Sequence, residues 1–247
     1  MPDRDAVKLS PVRHQSAPLR TKIIAALRSA IETGVLAPGT RLIEKDLCDQ
    51  LNVSRTSLRE ALRELQAEGI FEPESARGLT IAKISREEAA NAYRIRSVLE
   101  ALVVEQFIEN ANDAQMRELI RDGEALKLAY QSGVLQKIIE SKRAFYDRIC
   151  SGAANAIAFD IINRLVLRTS SLRRHSLMRK ERQAQSIREI DRLVKAIVKR
   201  DIETARAAAI DHVKNSARSA SGMSIPGQPD AAGESPRKQQ RRKENVS

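Results

Sequence analysis

Aromatic side chains are scarce in this chain. They make up 3% of its 247 residues, and tryptophan is missing. That argues against a single-strand nucleic-acid platform, which stacks bases on aromatic faces. Cysteine occurs twice, at Cys48 and Cys150, with neither in a CxxC pair. Two buried free thiols are therefore expected rather than a thiolate metal finger. The three histidines, His14, His175 and His212, lie in separate segments, so no paired acid and base or activated nucleophile is visible. There is no glycine-rich phosphate-cradling loop and no run near the roughly 18 apolar residues that cross a bilayer. The segment MPDRDAVKLSPVRHQSAPLR lacks the apolar stretch of a secretory signal. These absences point to a soluble, cytoplasmic protein with no membrane partner that is not an enzyme.

Positive charge is what the chain has in excess. Lys and Arg number 43 against 32 Asp and Glu, a formal net charge of +11, which favours polyanionic partners. Four regions separate by pattern. Residues 1–17 are polar and aperiodic, an expected disordered arm. Residues 18–83 hold three helical patterns and then a short β-like piece. Residues 84–220 keep a helical period almost throughout, with Gly123 and Gly133 as candidate breaks before Gly152. Residues 221–247, SGMSIPGQPDAAGESPRKQQRRKENVS, are rich in Ser, Pro, Gly and charge, an expected disordered basic tail.

In the first domain, Leu19, Ile23, Ile24, Leu27 and Ile31 share one helical face, and Gly34 is placed to cap that helix in the left-handed conformation. Pro38-Gly39-Thr40 turns the chain into a short helix from about Glu44 to Leu51. Asn52 tolerates a left-handed end, Val53 plugs the turn, and Ser54 can cap the next helix. That helix contains VSRTSLREALREL, in which Arg55, Arg59 and Arg63 recur every four residues while Leu58, Ala61, Leu62 and Leu65 form a separate apolar stripe. Ile70–Pro73 and Leu79–Ala82 then read as two strands around a tip at Glu74–Gly78. Three helices followed by a hairpin make a winged helix-turn-helix. Such a motif puts its second helix into the major groove, N-terminal end first. Arg55, Thr56, Ser57 and Arg59 occupy that leading end, Lys45 on the preceding helix suits a phosphate, and Arg77-Gly78 at the tip suits a minor groove. A solvated face with charge pairs is the alternative for an arginine stripe alone; the turn, the cap and the wing together favour double-stranded DNA.

The segment IETGVLAPGTRLIEKDLCDQLNVSRTSLREALRELQAEGIFE resembles the DNA-binding domain of the GntR family of bacterial transcription regulators. The helical region after it, to about residue 216, is similar to the FCD branch of that family. Its cues are Arg96-Ser97-Val98-Leu99-Glu100, the Phe145 helix, and Ala196-Ile197 with Asp201 and Ala205 beyond. The resemblance implies a mainly α fold: an N-terminal winged helix-turn-helix followed by an all-α helical-bundle domain that binds a small effector and dimerises. It matches Lys45, Arg55 and Arg59 to DNA-contacting positions and Arg77-Gly78 to the wing tip. Lys45 lacks the fork of the arginine common there and is assigned to phosphate; Arg55 and Arg59 meet bases or phosphates.

Many FCD proteins hold a divalent metal on an Asp and a His four residues apart, plus two further His. Here those slots fall on Lys142, Tyr146, Ile190 and His212, which excludes a tightly held metal, so no cofactor is expected. Asp147 and Asp191 each lie one residue past a slot, about 100° around the helix. Lys142, Tyr146, His212 and Arg96 are instead candidates to bind an acidic, carboxylate-containing effector, with an exposed Lys142 and a lone core His212 as the plain alternatives. The resemblance thus implies a homodimer on a palindromic operator, with repression relieved by a small acidic metabolite. A constitutive regulator with a defunct pocket, and an enzyme domain fused to a winged module, are the competing readings.

Overall fold

The computed structural model describes residues 17–74 and 78–221. The expected arm and basic tail lie, apart from their inner ends, outside the described residues, as does Arg77. The chain begins with α1 (Ala17–Thr33), β1 (Arg41–Leu42), α2 (Glu44–Leu51), α3 (Arg55–Ala67), β2 (Phe71–Glu74) and β3 (Gly78–Ile81). It continues entirely in helices: α4 (Arg86–Asn110), α5 (Asp113–Ser132), α6 (Leu135–Ala153), α7 (Ala156–Arg168), α8 (Ser170–Leu177), α9 (Lys180–Val198) and α10 (Ile202–Ser221).

The winged helix-turn-helix assembles on one apolar core. Ile23, Ile24, Leu27 and Ile31 of α1 meet Leu47 of α2, Leu58, Ala61, Leu62 and Leu65 of α3, and Phe71 and Ile81 of the sheet. Leu19, expected on the same face, is 43% exposed, one turn before that core begins. Asn52 ends α2 in the left-handed region, and Ser54 caps α3 by accepting the Ser57 N–H. Gly34 stops α1 at φ +83°, a conformation that favours glycine, and the Arg174 guanidinium packs against it, 2.0 Å from where a Cβ would lie. The sheet has three strands, not two. Its order is β1-β3-β2, all antiparallel, with Arg41 opposite Thr80 and Phe71 opposite Ile81. β1 is two residues long and carries no alternation of its own; it exists because β3 offers it a partner.

The helical domain packs α4 against α10 and α6, α5 against α6 and α9, and α9 against α10. Phe107, Leu119, Leu126, Ile138, Phe145, Ile149, Ile190, Leu193 and Ile197 fill its core. Side-chain capping boxes start α4 (Ser85 with Glu88) and α5 (Asn112 with Gln115), and Gly133 ends α5 in the left-handed conformation. Gly123, expected as a break, lies inside α5, and Gly152 lies inside α6. Close packing explains both: a Cβ on Gly123 would meet Val194 at 3.0 Å and one on Gly152 would meet the Phe107 ring at 2.5 Å. Leu167 of α7 belongs to the core of the first domain, so the two domains share an apolar contact.

Candidate functional site

The leading end of α3 is bare. Arg55, Thr56 and Arg59 are exposed, as is Lys45 on α2, while Ser57 is half-buried against its cap. The opposite side of α3 is fixed in the core, with Leu58, Ala61 and Leu65 fully buried. Between α3 and the sheet runs a groove of about 910 Å³ walled by Arg41, Glu44, Arg59, Arg63, Gln66, Pro73 and Gly78. Arg59 is not free in it: its Nε donates to Glu44 Oε2 at 2.9 Å. The two terminal nitrogens of that fork are left for an outside partner. Arg41 joins the groove only because β1 pairs with β3, so nothing in the local sequence marked it.

A second site lies in the helical bundle. Lys142 and Tyr146, one turn apart on α6, face Arg96 and Glu100, one turn apart on α4, across a cavity of about 50 Å³ that Arg143, Asp147 and Arg173 also line. Arg96 donates from Nε and Nη2 to a single oxygen of Glu100, at 3.0 and 2.6 Å. Among the described residues, Arg96 Nη1, the second Glu100 oxygen and the Tyr146 hydroxyl have no hydrogen-bond partner. Lys142 is buried, and its Nζ lies 2.9 Å from His212 Nε2. His212 Nδ1 lies 2.7 Å from Glu189 Oε2, which also accepts from Arg182 at 2.8 Å.

This geometry fixes the protons. His212 Nδ1–H donates to Glu189, so its Nε2 lone pair accepts from Lys142. Burial, then the nearby Lys142 ammonium, hold the imidazole down at about 4, and His212 is neutral at pH 7. Burial also pushes Lys142 well below the ordinary lysine range, helped by the charges of Arg173 and Arg182 and opposed by Glu100. Burial works to raise the Glu189 carboxyl, but the bonds from His212 and Arg182 prevail and hold it at about 2. Basic side chains thus outnumber carboxylates around the cavity, four to three, and an anion bound beside Lys142 would favour its protonated form.

A family model described as bacterial regulatory proteins of the gntR family matches residues 19–81, and one described as the FCD domain matches residues 91–215. The chain belongs to the GntR family, in its FCD branch. The HTH-type transcriptional regulator McbR of Escherichia coli K12 is 31% identical over 142 residues, 58% of this chain and 64% of McbR. The alignment thus spans slightly under two thirds of that relative. The HTH-type transcriptional repressor RspR of the same organism is 26% identical over 197 residues, covering 80% of this chain and 86% of RspR. The solved structure of E. coli McbR/YncC superposes with a TM-score of 0.71 at 27% identity, over 79% of this chain and 93% of that one. A GntR structure from Rhodococcus sp. RHA1 shares the fold, with a TM-score of 0.70 at 19% identity.

The metal slots of the FCD branch do not suit a metal in this GntR protein. The lone pair His212 would offer is taken by Lys142, and Ile190 is fully buried in the core. Asp191 turns away to Lys127 and Lys195, and Asp147 stays at the cavity wall. Among the described residues no three His, Cys, Asp or Glu side chains converge as metal ligands. Glu189 is the residue that reading by slot missed: it precedes Ile190, and that one step turns it onto His212. Arg173 and Arg182 were also missed: no motif marks α8, and the cues on α9, Ile190 and Ala196-Ile197, lie more than two turns beyond Arg182.

Proposed function

We propose that this protein is a DNA-binding transcriptional regulator of the GntR/FCD type, acting as a homodimer on a palindromic operator in the bacterial cytoplasm, at the nucleoid. The observation that carries the reading is the α3 ridge: exposed Arg55, Thr56 and Arg59 beside a groove walled by Arg41 and Arg63, on a helix whose other side is locked in the core. Arg55 and Arg59 reach base edges or phosphates, and Lys45 meets a phosphate. Glu44 holds Arg59 by its Nε, which presents the two terminal nitrogens as a fork of the kind that pairs with guanine. The test is binding to a duplex selected by the wild-type protein from a random pool. Arg55→Ala plus Arg59→Ala should weaken it by about 2 kcal/mol or more, roughly 30-fold. Unchanged affinity in a folded double variant would refute the interface.

A band of apolar side chains supports the dimer. α4 and α7 run antiparallel, tied by Asn155 to Gln106 at one end and Arg168 to Glu88 at the other. Ile95, Val98 and Leu102 on α4 and Ile157 and Ile161 on α7 are all exposed. A second copy covering this band gives two recognition helices the two-fold symmetry of a palindrome. Val98→Glu plus Ile157→Glu should shift sedimentation toward a monomer.

We further propose that the cavity between α4 and α6 binds a small carboxylate-containing metabolite, held by Arg96, Lys142 and Tyr146, with His212 orienting Lys142. Lys142, protonated once an anion sits beside it, supplies the attraction that a metal supplies elsewhere in the branch. Repression relieved by this ligand is the expected sense, as differential binding to the two arrangements of the protein shifts DNA affinity. A thermal-shift panel of organic acids tests it, since a true ligand raises the midpoint. Lys142→Met should abolish that rise.

A further inference from the structure

The mouth of the cavity already contains a carboxylate, and it comes from the other domain. Glu32, near the end of α1, lines the cavity and accepts from Arg143 Nη2 of α6 at 2.6 Å, although 111 residues separate the two in sequence. Its side chain is 11% exposed, so it is inserted rather than draped over the surface. Arg173, in the same wall, has no ion pair among the described residues and donates only to the Val166 carbonyl, at 3.4 Å. The negative charge of Glu32 is nevertheless felt there. Next to Arg173 on α8, Arg174 lies against Gly34, two residues beyond Glu32. The cationic wall of the cavity and the end of α1 are therefore one packed unit.

The charges around the cavity do not balance once this carboxylate leaves. Four basic side chains line it (Arg96, Lys142, Arg143 and Arg173) against three carboxylates, Glu32, Glu100 and Asp147. Glu100 is committed to Arg96. Withdrawal of Glu32 leaves two basic groups in excess, divided between Lys142 at the floor, which a bound anion holds protonated, and Arg143 with Arg173 at the mouth. A ligand with a negative group at each end matches this division, and a cavity of about 50 Å³ admits only a small one. We infer that Glu32 is a tethered anion filling half of the site, and that the free ligand is a small dianion, one end at Lys142 and Arg96 and the other displacing Glu32 from Arg143 and Arg173. This rests on the reading of the cavity as an anion site. Because Glu32 belongs to the DNA-binding domain, the ligand's second charge frees α1 from α6, and ligand and operator oppose each other through a shared ion pair.

The test uses the full-length protein, with malonate as dianion and acetate as monoanion, measured by calorimetry. Malonate should bind wild type at least tenfold more tightly than acetate. Glu32→Gln removes the competitor and should tighten malonate about threefold, the order expected when a partly exposed ion pair must open before the ligand binds. Arg143→Gln removes a ligand contact and should weaken malonate. A merely structural pair would move both variants in the same direction. Malonate should also lower affinity for the selected duplex in wild type and do so less in Glu32→Gln. If malonate binds but Glu32→Gln leaves its affinity unchanged or weaker, the tethered-anion inference fails while the anion cavity stands. If neither acid binds wild type, both fail.

Discussion

Lowering the pH through 6.5 should weaken the folded protein through one side chain, His212. Its ring is 1% exposed and sits between Lys142 Nζ and Glu189, with Arg182 alongside and Arg96, Glu100 and Arg173 across the cavity. Burial is the main cause of its depressed value of about 4 against the ordinary 6.5, and the Lys142 charge adds to it; the Glu189 bond opposes both. A folded value below the unfolded one means that the unfolded chain binds more protons in between. Stability from this group is fully present above pH 6.5, falls as the pH drops toward 4, and changes no further below that. At 1.36 kcal/mol per decade the interval is worth about 3 kcal/mol, and the buried position leaves little solvent screening to reduce it. Glu189 titrates lower, between 4.5 and about 2, outside a window of pH 7.5 to 4.5. Lys142, which burial also pushes down, is common to wild type and a His212 variant, so the difference between the two reports the histidine. Urea unfolding at one fixed protein concentration across that range should show the loss in wild type. His212→Gln, which can still accept from Lys142 and donate to Glu189, should be less stable at pH 7.5 and lose less stability than wild type as the pH falls. Parallel profiles for the two proteins would refute the neutral, buried imidazole.

Three further outcomes are expected from packing and capping. Gly152→Ala should cost about 1–3 kcal/mol by overpacking, because the new methyl meets the Phe107 ring at 2.5 Å; a lowered midpoint in thermal unfolding reads it directly. Ser54→Ala removes the cap on α3 and should cost about 1 kcal/mol, with DNA affinity falling in step because the frayed first turn carries Arg55. Cys150, buried and raised to about 12, should resist a thiol reagent at pH 8 until the protein unfolds, whereas half-buried Cys48 should react first. Equal rates for the two thiols would contradict the packing of α6.

The recognition helix was legible because everything that defines it is local. Apolar and cationic residues separate by face within thirteen positions, and the left-handed Asn52 and the Ser54 cap lie next door. β1 was not legible, since two residues acquire strand geometry only from β3, and with β1 went Arg41. The glycines divide the same way. Gly34 and Gly133 end helices because their own backbone is left-handed, while Gly123 and Gly152 lie in helices because a side chain from elsewhere presses on them; the letter is the same in both cases. The cavity goes furthest in this direction. The four-residue steps that join Lys142 to Tyr146 and Arg96 to Glu100 can be read along each helix, yet a solvated lysine and a buried one share that spacing. Burial is decided by α4 and α5 packing on α6, and the partners that α9 and α10 bring, Glu189 and His212, lie 47 and 70 residues away from Lys142. Sequence periodicity can state which face a charge is on; what that face meets is a property of the fold. For a cavity whose charges come from four helices, α1, α4, α6 and α8, the missing information is therefore the whole of the electrostatics, and the pairing of Glu32 with Arg143 is the part that no local pattern encodes.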